Sequence, residues 1–111
     1  MKDFKKLEIW QYGFQIAVNS FKITETFPKY ERWGLAFQIN KAGVSIPSNI
    51  AEGQGRKSTK DFLRHLSISY GSLREAETQN LIAERLGYIS DAQSRLVMEK
   101  CAEVGRLINP S

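Results

Sequence analysis

Residues 41–56 read KAGVSIPSNIAEGQGR, and the proline in the middle of this stretch decides between a helix and a loop. Apolar residues recur before and after it at intervals of three or four positions, at Leu35, Ile39, Ala42, Ile46 and Ile50. A loop would have no reason to keep this helical period. A proline inside a helix costs about 3 kcal/mol and crowds the carbonyl four residues earlier, here that of Gly43. The pattern therefore predicts one helix over residues 30–54, kinked at Pro47.

Two glycines end the stretch, Gly53 and Gly55, and two basic residues follow them, Arg56 and Lys57. Glycines beside basic residues also occur in phosphate-binding loops. A dinucleotide-binding fingerprint needs a preceding strand and a third glycine, and a P-loop needs Gly-Lys followed by Ser or Thr. Neither context is present, so we interpret the glycines as the terminator of the second helix and the turn after it.

The composition is that of one folded domain, which we predict to span residues 1–111. Hydrophobic residues make up 41% of the chain and charged residues 25%, and the net charge is +4. No apolar run is long enough to span a membrane, and the charged N-terminus lacks the apolar core of a signal peptide. The single cysteine, Cys101, excludes an internal disulfide and is typical of a reducing compartment. We therefore expect a cytoplasmic protein whose mild basicity permits an anionic partner.

Prolines and glycines divide the chain into four segments, and each segment has a helical period rather than strand alternation. The first helix is predicted over residues 6–26, ended by Pro28. The third begins at Ser58 and ends at Gly87, and the fourth opens with a capping box at residues 90–93. Short connections make successive helices antiparallel neighbours. The predicted fold is an all-α, up-down-up-down four-helix bundle.

Several of these motifs together resemble those of a known family. They are SIPSNIAEG at 45–53, Gly55-Arg56, Ser58, Phe62, GSLREAETQ at 71–79 and LGY at 86–88, with Phe4, Lys6, Leu7, Trp10, Gln11, Gly34, Leu35, Gln38 and Ile39 before them. The chain is similar to the four-helix-bundle family of 23S rRNA intervening-sequence proteins. The resemblance implies a small cytoplasmic bacterial bundle that assembles into a ring, with a pentamer as the expected state. It also implies kinship with the accessory variability protein of diversity-generating retroelements, a basic ring that engages a reverse transcriptase and nucleic acid.

Side chains that could carry catalysis are few and scattered. One histidine and one cysteine do not make a zinc site, so we expect no metal and no cofactor. We expect His65 to be a solvated or core-edge residue rather than a general base. Glu52, Glu75 and Glu77 are interpreted as surface charges or as hydrogen-bonding partners between helices. We therefore expect no catalytic site and no enzymatic activity, and the resemblance implies none.

Helices 1 and 2 each carry two apolar stripes, whereas a helix in a monomeric bundle needs only one. The stripes predicted to lie outside and to join subunits are Ile9, Tyr12, Ile16, Ile23 and Phe27 in helix 1, and Trp33, Phe37 and Val44 in helix 2. The opposite stripes include Leu7, Trp10, Phe14, Ala17, Val18 and Phe21 in helix 1. Scattered surface apolar residues are the alternative explanation. Because both helices show the feature, we predict a homo-oligomer.

Basic residues concentrate at one end of the predicted bundle, where the N-terminus, the turn between helices 2 and 3 and the C-terminus meet. Those predicted to bind nucleic acid there are Lys5, Lys6, Arg56, Lys57, Lys60 and Arg64. The N-terminus of helix 3 adds partial positive charge at the same end. An ordinary solvated surface is the alternative. The chain has no RNA-recognition aromatic motif and no zinc finger, so contacts are expected to go to phosphates.

The sequence therefore predicts a non-catalytic homo-oligomer that binds RNA or DNA, or an enzyme that acts on nucleic acid. The alternative is a protein-only oligomeric scaffold whose basic end serves solubility or an acidic partner. A hydrolytic enzyme is a distant third hypothesis.

Overall fold

Four α-helices dominate residues 3–109, the part of the chain that the computed structural model describes, and this part contains no strand. They are α1 Glu8–Thr24, α2 Leu35–Gln54, α3 Thr59–Arg85 and α4 Asp91–Ile108, with short 3₁₀ helices at Phe4–Lys6 and Lys29–Glu31. The predicted domain, residues 1–111, extends two residues beyond the described part at each end. The all-α fold is confirmed.

Each helix packs against two neighbours, with α1 and α3 both lying between α2 and α4. Contacts across the α2–α3 interface pair Ser45 with Ser72 and Asn49 with His65, so the two helices run in opposite directions. The hydroxyls of Tyr30 and Tyr88 lie 3.3 Å apart, which brings the α1–α2 and α3–α4 connections to the same end. The bundle is therefore of the up-down-up-down type.

The core runs between all four helices. Its main cluster of buried residues is Ile16, Ala42, Ile46, Ile50, Leu73, Ala76, Val97, Cys101 and Val104. A second cluster, Phe27, Ala36, Ile39, Ala83 and Ile89, closes the end that carries the α1–α2 and α3–α4 connections. No helix within residues 3–109 is both long and apolar enough to cross a membrane.

Helix α2 passes through Pro47 without interruption and ends at Gln54, where the Gly55 N–H donates to the Ala51 carbonyl at 3.2 Å. The predicted continuity is confirmed, and the kink at Pro47 stays a prediction. The helix begins at Leu35 rather than at residue 30, because the Glu31 carboxylate accepts the Leu35 N–H at 3.0 Å and caps it there. Gly34 makes this cap possible, since a Cβ at that position would lie 2.6 Å from Oε1 of Glu31.

The predicted boundaries of α3 and α4 agree with the structure. Ser58 caps α3 by accepting the Asp61 N–H at 3.1 Å. At its other end the Tyr88 N–H donates to the Ala83 carbonyl across Gly87, whose φ of 80° suits glycine. The capping box of α4 is complete, with reciprocal hydrogen bonds between Ser90 and Gln93.

The orientation predicted for the two stripes of α1 is wrong in part. Ile16 and Phe27, assigned to an outer interface, are only 2% and 7% exposed and belong to the two core clusters. Ile9, Tyr12 and Ile23 are half-buried and pack against the core, as do Leu7 and Trp10 of the opposite stripe. The exposed stripe of α1 consists of Phe14, Val18 and Phe21. The orientation predicted for α2 agrees with the structure, because Trp33, Phe37 and Val44 are all exposed.

Candidate nucleic-acid interface

The turn between α2 and α3 is fixed by two caps, Gly55 at the end of α2 and Ser58 at the start of α3. The Gly55 N–H donates to carbonyls that the end of α2 leaves without partners, and the Ser58 hydroxyl accepts an N–H that the start of α3 leaves without one. The side chains of Arg56 and Lys57 lie between them, and Lys60 follows in the first turn of α3. The reversal of the chain thus gathers basic side chains at one end.

The N-terminal segment adds two more cations to this end. Its 3₁₀ helix, Phe4–Lys6, is started by the Asp3 carboxylate, which accepts the Lys5 N–H at 3.0 Å. The Phe4 ring stacks edge-on against Trp10, with centroids 5.3 Å apart, and lines a groove with Pro47 and Ala51 in the C-terminal half of α2. Lys5 and Lys6 are therefore carried to the end at which α2 terminates.

The six predicted residues Lys5, Lys6, Arg56, Lys57, Lys60 and Arg64 are all exposed, and we call this set the basic end. Arg56 pairs with Glu52 across one turn of α2 at 2.9 Å, with both side chains about half exposed. Such surface pairs contribute at most about 1 kcal/mol, so the guanidinium can exchange Glu52 for another anion. Within residues 3–109, the side chains of Lys57 and Lys60 form no ion pair or hydrogen bond. These two ammonium groups are available to a ligand.

Arg64 is the one member of the basic end that touches a buried polar group. Its Nη2 lies 3.5 Å from Nε2 of His65, whose ring is only 4% exposed. The other ring nitrogen, Nδ1, lies 3.2 Å from Oδ1 of Asn49 on α2 and 3.9 Å from Oε2 of Glu52. The basic end is thus connected to the interior of the α2–α3 interface.

A chain of small polar side chains, which we call the polar seam, continues from His65 along this interface: Asn49, Ser45, Ser72 and Ser69. Asn49 donates to the carbonyl and the hydroxyl of Ser45 at 2.9 and 3.0 Å, and the Ser45 and Ser72 hydroxyls are 2.7 Å apart. Ser69 donates to the Ile46 carbonyl at 2.9 Å, which is the backbone oxygen next to Pro47. The seam provides hydrogen bonds for polar groups buried between two helices, as burial requires.

Sequence reasoning placed His65 at a solvated or core-edge position and missed its contact with Asn49. The pairing depends on the register between α2 and α3, which a single sequence does not show. A partial indication was present, since His65, Ser69 and Ser72 share one face of α3 at helical spacing.

Two of the carboxylates considered for catalysis, Glu52 and Glu77, have structural partners. Glu52 pairs with Arg56, in agreement with the interpretation of these carboxylates as surface charges or hydrogen-bonding partners. Glu77 is buried, and its Oε1 lies 2.8 Å from Nη1 of Arg74. Burial raises the pKa of the Cys101 thiol to about 12, so the thiol stays protonated at neutral pH. The described residues contain no group of three His, Cys, Asp or Glu side chains that could hold a metal ion. The strongest arrangement of functional groups is therefore the basic end with the polar seam behind it.

A family model described as 23S rRNA-intervening sequence protein matches residues 5–110. The chain belongs to this family. The motif residues 45–53 that indicated the resemblance supply Ser45 and Asn49 of the polar seam and Glu52 beside His65. In this member of the 23S rRNA-intervening sequence family, the motif therefore lies at the α2–α3 interface directly behind the basic end.

One solved structure shares this fold. It is the crystal structure of a protein with unknown function from the S23 ribosomal protein family of Bacteroides thetaiotaomicron, with a TM-score of 0.81. The two chains are 23% identical, and the match covers 90% of this chain and 94% of that one, so the likeness shows a shared fold. No curated protein shows significant similarity to the chain. The predicted relation to the retroelement accessory variability protein is not tested by these comparisons and stays a prediction.

Proposed function

We propose that this family member is a non-catalytic, cytoplasmic, homo-oligomeric bundle that binds RNA, or DNA, through its basic end. The observation that supports the proposal most strongly is the gathering of six exposed cations from three chain segments at one end. Among the described residues, Lys57 and Lys60 have no ion-pair partner there. Exposed like charges repel one another, so their concentration suits an anionic partner.

The chemistry of the basic end favours phosphates over bases. Lysine and arginine side chains on an exposed turn reach the backbone of a nucleic acid, and such contacts position a protein without selecting a sequence. Each neutralised phosphate releases condensed counterions, which makes the affinity fall with salt. We therefore propose binding with low sequence preference and strong salt dependence.

A salt titration tests this proposal. The wild-type protein is mixed with dye-labelled oligouridylate and with an unrelated RNA, and the affinity is measured by anisotropy at several salt concentrations. The logarithm of the affinity should fall linearly with the logarithm of salt concentration, by about 0.7 for each phosphate contact on a single strand. Both RNAs should give similar slopes. Absence of binding at low salt would contradict the proposal and favour the protein-only scaffold.

We further propose that the subunits assemble into a ring, with five subunits as the expected number. A ring closes through two different surfaces that meet head to tail. Exposed large apolar side chains lie on both halves of the bundle: Phe14, Val18, Phe21, Trp33, Phe37 and Val44 on α1, α2 and their connection, and Leu63, Ile68, Leu81, Leu96 and Leu107 on α3 and α4. Since α1 and α2 lie opposite α3 and α4, one half can pack on the other half of the next subunit.

Light scattering coupled to size exclusion tests the assembly. The wild type should show a mass several times 12.7 kDa. Replacing Phe37 and Val44 by Asp should give a smaller species of unchanged helix content, because both side chains are exposed in the subunit. A wild-type monomer at roughly 10 µM would contradict the ring, since a specific interface of ordinary affinity survives that dilution.

The second candidate is a protein-only scaffold, or a contact with an enzyme that acts on nucleic acid. The observation that favours a protein partner is Trp33, which is 76% exposed beside Phe37 with ring centroids 6.1 Å apart. Aromatic side chains of this kind are enriched at protein interfaces. Nuclease treatment separates the candidates, because a partner protein that remains bound after nuclease digestion does not depend on nucleic acid.

A further inference from the structure

The hydrogen bonds around His65 determine which ring nitrogen carries the hydrogen. Both amide hydrogens of Asn49 are directed to Ser45, one to its carbonyl and one to its hydroxyl. The amide oxygen therefore faces His65, and a carbonyl oxygen only accepts. Nδ1 of His65, 3.2 Å away, must be the donor, so the neutral ring carries its hydrogen on Nδ1.

The opposite nitrogen, Nε2, is then an acceptor. Within residues 3–109, the polar group that lies against Nε2 is Nη2 of Arg64 at 3.5 Å, and a guanidinium only donates. In the neutral state both ring nitrogens thus have a partner, and the Arg64 side chain is held against the surface of α3.

Protonation changes this arrangement in a definite direction. A protonated ring carries a hydrogen on Nε2, cannot accept from Arg64, and places a second cation beside the guanidinium. The charged groups that face the ring are Arg64 on its own helix and Glu52 on α2, which in turn pairs with Arg56. Oε2 of Glu52 lies 3.9 Å from Nδ1, and the guanidinium of Arg64 is repelled by a protonated ring because both carry positive charge.

We propose that His65 is a proton-responsive positioning residue of the basic end, which holds Arg64 against the bundle when neutral and releases it towards solvent when protonated. This inference rests on the proposed nucleic-acid binding. Proton uptake and nucleic-acid binding then favour each other, because both increase with the positive charge displayed at this end.

The expected effect is a rise in affinity on acidification. One additional phosphate contact from Arg64 should strengthen oligouridylate binding about fivefold at 0.1 M salt, and steepen the salt slope by about 0.7. Two matched variants test this. Arg64→Gln should lose most of the dependence of affinity on pH, whereas Lys60→Gln should bind more weakly but keep that dependence. An Arg64→Gln protein with undiminished pH dependence would overturn the inference.

A second measurement needs no variant and no nucleic acid. The chain has one histidine, so its ring signals in a ¹⁵N-resolved NMR spectrum are unambiguous. The neutral ring should carry its hydrogen on Nδ1, and the Arg64 side-chain signals should shift in step with the titration of His65. A hydrogen on Nε2, or Arg64 signals that do not follow the ring, would contradict the inference. Failure of the wild type to bind RNA at any pH would instead refute the proposed function and leave the spectrum to decide on His65.

Discussion

The two ends of the bundle are built in different ways. At the basic end the chain turns between two capped helices, and its charged side chains extend into solvent. At the opposite end, which we call the connection end, the α1–α2 and α3–α4 connections interlock. There the Tyr88 hydroxyl donates to Glu31 at 2.8 Å, and its ring lies 5.2 Å from that of Phe27. The difference indicates that contacts between the two connections stabilise the fold at the connection end. Charges at the basic end can therefore change without loss of structure.

The contacts at the connection end form one network. The Glu31 carboxylate accepts from the Leu35 N–H and from the Tyr88 hydroxyl, and these hydrogen bonds hold its pKa below the usual value. Hydrogen bonds with Tyr30 and with Glu31 raise the pKa of Tyr88. One carboxylate thus joins the start of α2 to the connection that follows α3.

The largest effect is expected from Phe27, whose ring is buried in the second core cluster. Phe27→Ala should lower the free energy of unfolding by about 3–5 kcal/mol, because it removes a buried ring and leaves a cavity. The matched control is Phe21→Ala, since Phe21 is 51% exposed. In dilute protein the control should change the unfolding free energy by less than about 0.5 kcal/mol. Equal losses in urea denaturation of the two variants would contradict the inward orientation of Phe27.

A smaller loss of stability is expected from the replacement of Gly53 at the basic end. Helix packing, and not charge, stabilises the fold there. A Cβ at this position would lie 2.8 Å from Cβ of His65 and 3.3 Å from the Phe62 carbonyl oxygen. Gly53→Ala should therefore destabilise the protein by about 1–2 kcal/mol, despite the better helix propensity of alanine.

Gly71 on the same helix pair provides the control, because nothing lies within 4 Å of the Cβ that an alanine would add. Gly71→Ala should stabilise the protein by about 0.5–1 kcal/mol. Thermal unfolding of the two variants should shift in opposite directions. A stabilised Gly53→Ala protein would show that α2 and α3 do not approach closely at this point.

The smallest effect is expected from Glu31→Gln, and it depends on pH. The carboxylate has a pKa lowered from its usual 4.5, so its stabilising contribution is complete above that pH and is lost as the pH falls through the lowered value. The melting temperature of the variant should lie below that of the wild type at neutral pH, and the difference should shrink below about pH 4.5. A difference independent of pH would mean that the charge of Glu31 contributes nothing.

Much of the fold follows from local features of the sequence. The caps at Ser58, Gly87 and Ser90 and the uninterrupted period across Pro47 are chemical signals that act within a few residues, and each predicted its feature correctly. The start of α2 was misplaced, since the cap of Leu35 comes from Glu31, four residues earlier, and depends on the space left by Gly34.

The inward face of α1 could not be predicted in the same way. Both stripes of this helix are apolar, so hydrophobicity alone does not show which of them faces the core. The choice depends on close contact with α2, where a Cβ at Gly43 would lie 2.6 Å from the Ser20 hydroxyl and one at Gly13 would lie 3.2 Å from Ile46. Small residues, not the largest apolar ones, thus determine which side of α1 faces inward.

The basic end was predictable because topology alone places its residues together, once four antiparallel helices are assumed. The contact of Arg64 with His65 and Asn49 was not predictable, because it requires the relative register of α2 and α3. The sequence predicted which charged residues lie at this end. The structure adds that one of them, Arg64, contacts an internal partner.

The most direct test of the central claim compares charge reversal at the two ends. One variant changes Lys57, Lys60 and Arg64 to Glu, and the matched control changes Lys29, Arg32 and Arg85 to Glu at the connection end. The bundle is 43 Å long, whereas charges are screened over about 10 Å at 0.1 M salt, so the control cations lie too far away to assist binding.

With His65 protonated, affinity for oligouridylate should fall on the order of 100-fold in the first variant at 0.1 M salt, as expected for the loss of three phosphate contacts, one of them from the released Arg64. The control should bind nearly as well as the wild type, and both variants should keep the wild-type mass in light scattering. Equal losses of affinity in the two variants, or an unchanged affinity in the first, would contradict nucleic-acid binding at the basic end.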